Sequence, residues 1–218
     1  MKALLDDNSF VEVGAYVKAR STDFNMAAQN TAADGVITGY GTIEGNLVYV
    51  YSQDASVMGG SVGEMHAKKI SNVYRMAMKM GAPVIGLVDC SGLRLQEATD
   101  ALDGFGQMYL NQTMASGVVP QICAVFGSCG GGMAVSSAIA DFVFMEEKAK
   151  MFVNSPNALA GNDEKSAIPL QQISRAANQD WLTWWEARRR FLRRFGLSSL
   201  FFRLTMRTTC PMTSAATI

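Results

Sequence analysis

The stretch Val118 to Asp141, VVPQICAVFGSCGGGMAVSSAIAD, constrains this chain more than any other. It opens as a buried strand, Gln121 to Phe126, and turns through Gly127-Ser128-Cys129-Gly130-Gly131-Gly132. A helix of small residues, Met133 to Ala140, follows. Three successive glycines leave their backbone N–H groups uncovered by any Cβ. A helix starts there, so its first N–H groups lack intrahelical partners and the positive end of its dipole faces the turn. Such a turn suits a developing negative charge, for example a thioester oxygen becoming an enolate. The same glycines equally suit close helix–strand packing, as in many α/β folds.

The surrounding sequence repeats the strand–turn–helix pattern. Gly35–Tyr40 and Leu47–Gln53 read as strands of a hairpin turning at Glu44-Gly45-Asn46. Val57 to Gly63 is a second glycine-rich loop. Over Glu64–Met80 the apolar residues Ala67, Ile70, Val73, Ala77 and Met80 recur at helical steps. Gly81 stops that helix and Pro83 prevents its continuation. Val84–Val88 is fully apolar, as in a strand covered on both faces. The turn Asp89 to Arg94 follows, then a helical stretch Leu95–Ala115 interrupted by Gly104 and Gly106. Phe142–Met145 and Met151–Val153 read as two more short strands. Leu4–Tyr16 reads as an exposed entry segment and Thr22–Asp34 as a polar loop. The turns after Val88 and Phe126 thus lie at equivalent ends of successive strands, where active sites of open α/β sheets collect. One N–H from each turn could face a single oxygen.

Composition excludes some functions. Lysines plus arginines number 19, as do aspartates plus glutamates, so no global pull on nucleic acid is implied. Cys90, Cys123, Cys129 and Cys210 are scattered without a CxxC pair, which gives no support for a zinc site. Reduced, buried thiols suit a cytoplasmic protein. The start, MKALLDDNSF, lacks a signal-peptide apolar run, and no apolar stretch is long enough to span a bilayer.

Three long runs carry a family resemblance: DGVITGYGTIEGNLVYVYSQDASVMGGSVGEMHAKKI, GAPVIGLVDCSGLRLQEATDAL and ASGVVPQICAVFGSCGGGMAVSSAIADFVFM. Residues 4–162 resemble the N-terminal domain of biotin-dependent acyl-CoA carboxyltransferases, which include propionyl-CoA carboxylase β subunits and glutaconyl-CoA and methylmalonyl-CoA decarboxylase α subunits. The resemblance implies the crotonase (ClpP-like) α/β fold, a spiral of ββα units. It implies that backbone N–H groups hold the thioester oxygen as the enolate forms, and it carries the roles onto Leu93, Gly131 and Gly132. Gly59, Gly60, Ser61, Gly92 and Gly130 map onto the acyl-CoA surface. GSCGGGM stands where many members have GPCAGGA, and CSGLRLQE where they have SGGARIQE, so the relevant glycines are kept.

The implied reaction moves a carboxyl group between biotin, borne on a carrier protein, and the α-carbon of an acyl-CoA. Family enzymes use two crotonase domains. The implied partners are therefore a C-terminal carboxyltransferase domain or subunit and a biotin carboxyl carrier protein, in a homo- or hetero-oligomer. A decarboxylase would associate with a membrane complex. No metal or nucleic acid is implied. Two other readings stay open: a crotonase-type hydratase, which would need paired acids among Glu64, Glu97, Glu146 and Glu147, and a truncated chain that only binds acyl-CoA.

Side chains near the turns read as structural. His66, the only histidine, has no evident base partner. Asp89 orders its turn, and Arg94 forms an ion pair in preference to holding a phosphate. Lys68 and Lys69 lie on a solvated helix face. Cys129 has no thiolate-stabilising neighbour. Met76, Met78, Met80 and Met108 fill the core.

Composition changes near Lys165, giving an N-terminal domain, residues 1–165, and an atypical tail, 166–218. All three tryptophans, Trp181, Trp184 and Trp185, and an arginine run lie in the tail. Shifting the frame by one base from Ser166 permits a family-like continuation beginning CDTSAANIKSSESGLADLVG. The tail therefore reads as out-of-frame translation, and WLTWWEARRRFLRRF as an accidental arginine–aromatic segment.

Overall fold

Glu64–Met80 forms helix α1 as its periodicity requires. Ala67, Ile70, Val73 and Ala77 are fully buried, and each Val or Ile so buried contributes about 1.5–3 kcal/mol. Gly81 ends the helix in the left-handed region, at φ 64°. Met80, the last residue of the helix, departs from the expected face: it is 62% exposed.

The structure, a computed structural model, describes residues 4–153 apart from 22, 30, 147 and 148. The readings made for 166–218, for Cys210 and for Glu147 lie outside the described residues. Strand β1 is Val11–Glu12, β2 Val36–Ile43 and β3 Asn46–Gln53. After α1 come β4, Val84–Cys90, helix α2, Ala98–Ala115, and β5, Gln121–Gly130. Helix α3, Gly132–Ile139, leads to β6, Phe142–Met145, and β7, Lys150–Phe152.

The sheet order is β1-β2-β3-β4-β5-β6, antiparallel up to β3 and parallel beyond it. The β2–β3 hairpin turns at Glu44 and Gly45, both at positive φ. β5 is the pivot. Its first half, Ile122 to Val125, pairs with β6, and its last three residues pair with β7. Helix α1 packs on β2 to β4, and α2 packs on α1 and α3. Gly104 does not interrupt α2; a Cβ there would stand 2.8 Å from the Ala67 Cβ, so the glycine lets the two helices close.

Three other expectations change. Leu4 and Leu5 are buried rather than exposed, with Leu5 filling the space a Gly41 side chain would need. The polar segment before β2 contains two short 3-10 turns and the fully buried Asp34. The strand expected to stop at Phe126 runs on to Gly130, so the glycine turn contracts to Gly131. Gly127 and Gly130 are strand residues. A Cβ at Gly127 would collide with the Asp89 carboxylate, and one at Gly130 would stand 2.5 Å from the Ser91 carbonyl.

Candidate functional site

The ends of β4 and β5 meet where the sequence placed them. Cys90 and Cys129 are register partners, and the turns beyond them touch. A Cβ on Gly92 would lie 3.4 Å from the Gly130 carbonyl oxygen and 3.9 Å from the Gly131 nitrogen. Gly92 stands at φ 121° and Gly131 at φ 58°, ψ −127°, both conformations that L side chains rarely adopt. Leu93, Gly131 and Gly132 are all partly exposed, so a ligand can reach them.

The backbone hydrogen bonds assign their donors. Gly131 N–H donates to the Phe152 carbonyl at 2.8 Å. It therefore has an acceptor already, which corrects the expectation that it donates to substrate. Gly132 and Met133 open α3, and their N–H groups donate to no described residue. Gly132 is fixed from behind: its carbonyl accepts the Tyr109 hydroxyl at 2.7 Å, and a Cβ there would stand 2.8 Å from Phe105.

On the other turn, Val62 N–H donates to Gly92 O at 2.8 Å and Arg94 N–H donates to Val62 O at 2.9 Å. In that parallel bridge Leu93 is the intervening residue. Its own N–H points away from Val62, towards the opposite edge. It donates to no described residue. Two amides that donate to no described residue, of Leu93 and Gly132, thus belong to turns in contact, with α3's positive end behind one of them.

The acyl-CoA loop divides. Gly59 is exposed beside Ser91, and Gly60 packs onto the Asp89 carbonyl. Ser61 turns inward, a correction to its expected place on the ligand surface: it is 7% exposed, and its Oγ lies 3.4 Å from Arg94 Nε. Gly92 and Gly130 are buried and shape the contact between the turns.

Beneath the site lies a charged cluster only half foreseen. Arg94 has no exposure and donates to Asp34 Oδ1 at 2.5 Å, Glu97 Oε1 at 2.8 Å and Ser61 O at 2.9 Å. Glu97 Oε2 also accepts the first N–H of α1, from Glu64, at 2.6 Å. Asp34 accepts His66 N–H at 2.7 Å. Burial raises the Asp34 pKa against the opposing pull of Arg94. The ion pair expected for Arg94 is present, but its partner sixty residues upstream had no sequence signal.

His66 is structural. Its Nδ1 donates to Asp34 O at 2.9 Å and its Nε2 accepts from Gln53 Nε2 at 3.1 Å. Burial, with the nearby Arg94 and Lys69 cations, lowers its pKa to about 3. Asp89, expected to order its turn, sits in β4 and ties that strand to β5 by accepting Ser128 N–H at 3.0 Å. Lys68 is exposed and paired with Glu64, but Lys69 is not on a solvated face: it is buried and donates to Ala33 O and Val36 O. Burial raises the Cys129 thiol to about 11, so it is no nucleophile. Of the glutamates a hydratase would draw on, Glu64 pairs with Lys68 and Glu97 with the buried Arg94. Among the described residues no group of three or more His, Cys, Asp or Glu could hold a metal, and no helix is long and apolar enough to cross a membrane.

Known proteins resemble this chain in sequence and in fold. The carboxyl transferase domain matches residues 1–167. Methylmalonyl-CoA decarboxylase subunit alpha of Veillonella parvula is 51% identical over 154 residues, covering 70% of this chain and 30% of that protein. The propionyl-CoA carboxylase beta chain of Roseobacter denitrificans is 50% identical over 170 residues, covering 77% of this chain and 33% of that protein. Among solved structures, a transcarboxylase 12S hexamer crystallised with hydrolysed methylmalonyl-coenzyme A superposes with a TM-score of 0.70 at 45% identity, over 71% of this chain and 31% of that one. The chain spans about a third of the length of the curated relatives it matches. Its ββα architecture is the crotonase-like fold of those carboxyltransferases. With three quarters of its length matched and half the aligned residues identical to these relatives, the chain belongs to the carboxyl transferase domain family.

Proposed function

We propose that this chain is the acyl-CoA-binding half of a biotin-dependent carboxyltransferase, acting at the α-carbon of an acyl thioester. The observation that carries the reading is the pair of amides, Leu93 and Gly132, that donate to no described residue and lie on turns in contact. The thioester oxygen accepts both N–H groups. Charge grows on that oxygen as the enolate forms, and fixed donors hold it more strongly then than in the ground state. Gly59, the exposed glycine of its loop, offers backbone to the acyl-CoA. Gly92 and Gly130, which have no side chains between the turns, let the two turns touch, and Gly131 leads into Gly132 at φ 58°.

Carrier-borne biotin supplies or accepts the carboxyl group in such a reaction. The described residues provide the thioester half, and a C-terminal carboxyltransferase domain or subunit provides the other, within an oligomer. The matched extent, residues 1–167, supports a boundary near Lys165, and we propose that 166–218 is an out-of-frame tail. Sequencing the encoding DNA tests that: a gene with no family-like continuation in the shifted frame excludes it. Three buried reduced thiols support a cytoplasmic setting.

The functional test is carboxyl transfer to propionyl-CoA by the chain combined with a second-domain subunit and a biotinylated carrier. Turnover should depend on all three, and Gly132→Val should lower it by about two to three orders of magnitude. Turnover unaffected by Gly132→Val excludes the amide-held thioester.

A further inference from the structure

The turn carrying the Leu93 amide is held by more than backbone. Two hydrogen bonds join it to Val62, and Ser91 N–H donates to Gly59 O at 3.0 Å. Arg94, the next residue, sends its side chain back under that bridge. Its Nη2 donates to the Ser61 carbonyl at 2.9 Å and its Nε reaches Ser61 Oγ at 3.4 Å. The guanidinium thus grips residue 61 while its own backbone grips residue 62. Its remaining side is locked by Asp34 and Glu97, and Glu97 is itself fixed to the first amide of α1. The clamp fills its space: a Cβ on Gly63 would stand 2.5 Å from Arg94 Nη1 and 2.6 Å from the Glu97 carboxylate.

A fully buried guanidinium facing two carboxylates is an expensive way to hold a fold, since apolar residues of similar volume often do as well or better. What apolar packing cannot supply is direction. A planar fork bonded on three sides fixes the rotation of the segment it belongs to. The Leu93 N–H shares a planar trans peptide with Gly92 O, which accepts Val62 N–H, so whatever holds the 61–62 segment against residues 92–94 sets the direction of that N–H.

We propose that Arg94 is a positioning residue for the thioester site: clamped by Asp34 and Glu97, it fixes the direction of the Leu93 N–H by holding Ser61 across the bridge. This rests on the functional reading above.

The test uses the full chain and propionyl-CoA. The thioester carbonyl stretch, measured by isotope-edited infrared spectroscopy, reports hydrogen bonding to that oxygen, and calorimetry gives the Kd. In the wild type the bound stretch lies below that of free propionyl-CoA. Arg94→Lys keeps the charge but loses the fork. Its bound stretch should return towards the free value while Kd changes by less than about threefold. In the assembled enzyme its kcat should fall by about ten- to a hundredfold. A folded Arg94→Lys chain with the wild-type stretch overturns the proposal. Should Arg94→Lys not fold, Glu97→Gln, which leaves Arg94 paired with Asp34, decides instead: a partial return towards the free value supports the clamp and the wild-type stretch overturns it. Bound propionyl-CoA with no lowered stretch in the wild type removes the functional reading itself, and the clamp's role with it. A lowered stretch that both variants retain removes the clamp alone.

Discussion

Arg94 Nη1 lies 2.5 Å from Asp34 Oδ1, although sixty residues separate them in the chain and neither side chain has any exposure. Asp34→Ala leaves Arg94 paired with Glu97 but removes one buried acceptor from Arg94 and another from the His66 N–H, and is expected to destabilise the fold by about 1–3 kcal/mol, measured by urea unfolding. Asp34→Asn, which still offers Arg94 an oxygen, should cost less.

His66 makes stability fall with acid. Its folded pKa is lowered from 6.5 to about 3, so below pH 6.5 the unfolded chain takes up a proton that the folded chain refuses. The histidine's contribution is intact above that pH. It is lost as pH falls towards 3, at up to about 1.4 kcal/mol per pH unit. Asp34 has the opposite sign: burial raises its pKa, so its protonation on acidification favours the fold and offsets part of the loss. Unfolding midpoints between pH 7 and 4 should decline in the wild type and flatten in His66→Gln. An equal decline in both would remove the assignment.

Neighbouring glycines should fail in different ways. Gly131→Ala has room, its Cβ nearest neighbours being at 3.9 Å, but φ 58° and ψ −127° strain any side chain. It should lower stability by about 1–3 kcal/mol. Gly132→Ala drives a Cβ to 2.7 Å from the Tyr109 hydroxyl and 2.8 Å from Phe105, so α3 must shift with its first amide. Turnover should then fall by about a hundredfold, more than in Gly131→Ala. Urea unfolding and steady-state kinetics on both variants separate the effects.

The α1–α2 contact predicts a compensating pair. Gly104→Ala places a Cβ 2.8 Å from that of Ala67. Overpacking costs about 1–3 kcal/mol, against a helix-propensity gain of about 1 kcal/mol. Ala67→Gly in the same chain should relieve the clash. A double-mutant cycle should therefore give a favourable coupling of at least about 0.5 kcal/mol, and additive effects would exclude the contact.

What sequence could show and what it could not divide along the chain. Helix α1 was legible because Ala67, Ile70, Val73 and Ala77 mark one face and Gly81 marks the end, and the β2–β3 hairpin because Glu44-Gly45-Asn46 names its turn. The meeting of the β4 and β5 turns followed from the repeat and the resemblance. The two central glycines could not be told apart: only the Phe152 carbonyl, more than a turn of helix and a strand later, occupies one N–H and leaves the other. Asp34 and Glu97 were illegible as partners of Arg94 because long-range ion pairs leave no periodicity. Lys69 read as solvated because its buried acceptors are backbone carbonyls, which every residue has.

Cys90, Cys123 and Cys129 all lie inside, with their thiols raised to about 12, 12 and 11. At neutral pH an alkylating reagent therefore meets almost no thiolate at these positions until the chain opens. Because they lie in the central strands β4 and β5, the time course of their labelling clocks the opening of the very strands whose ends meet at the ligand cleft.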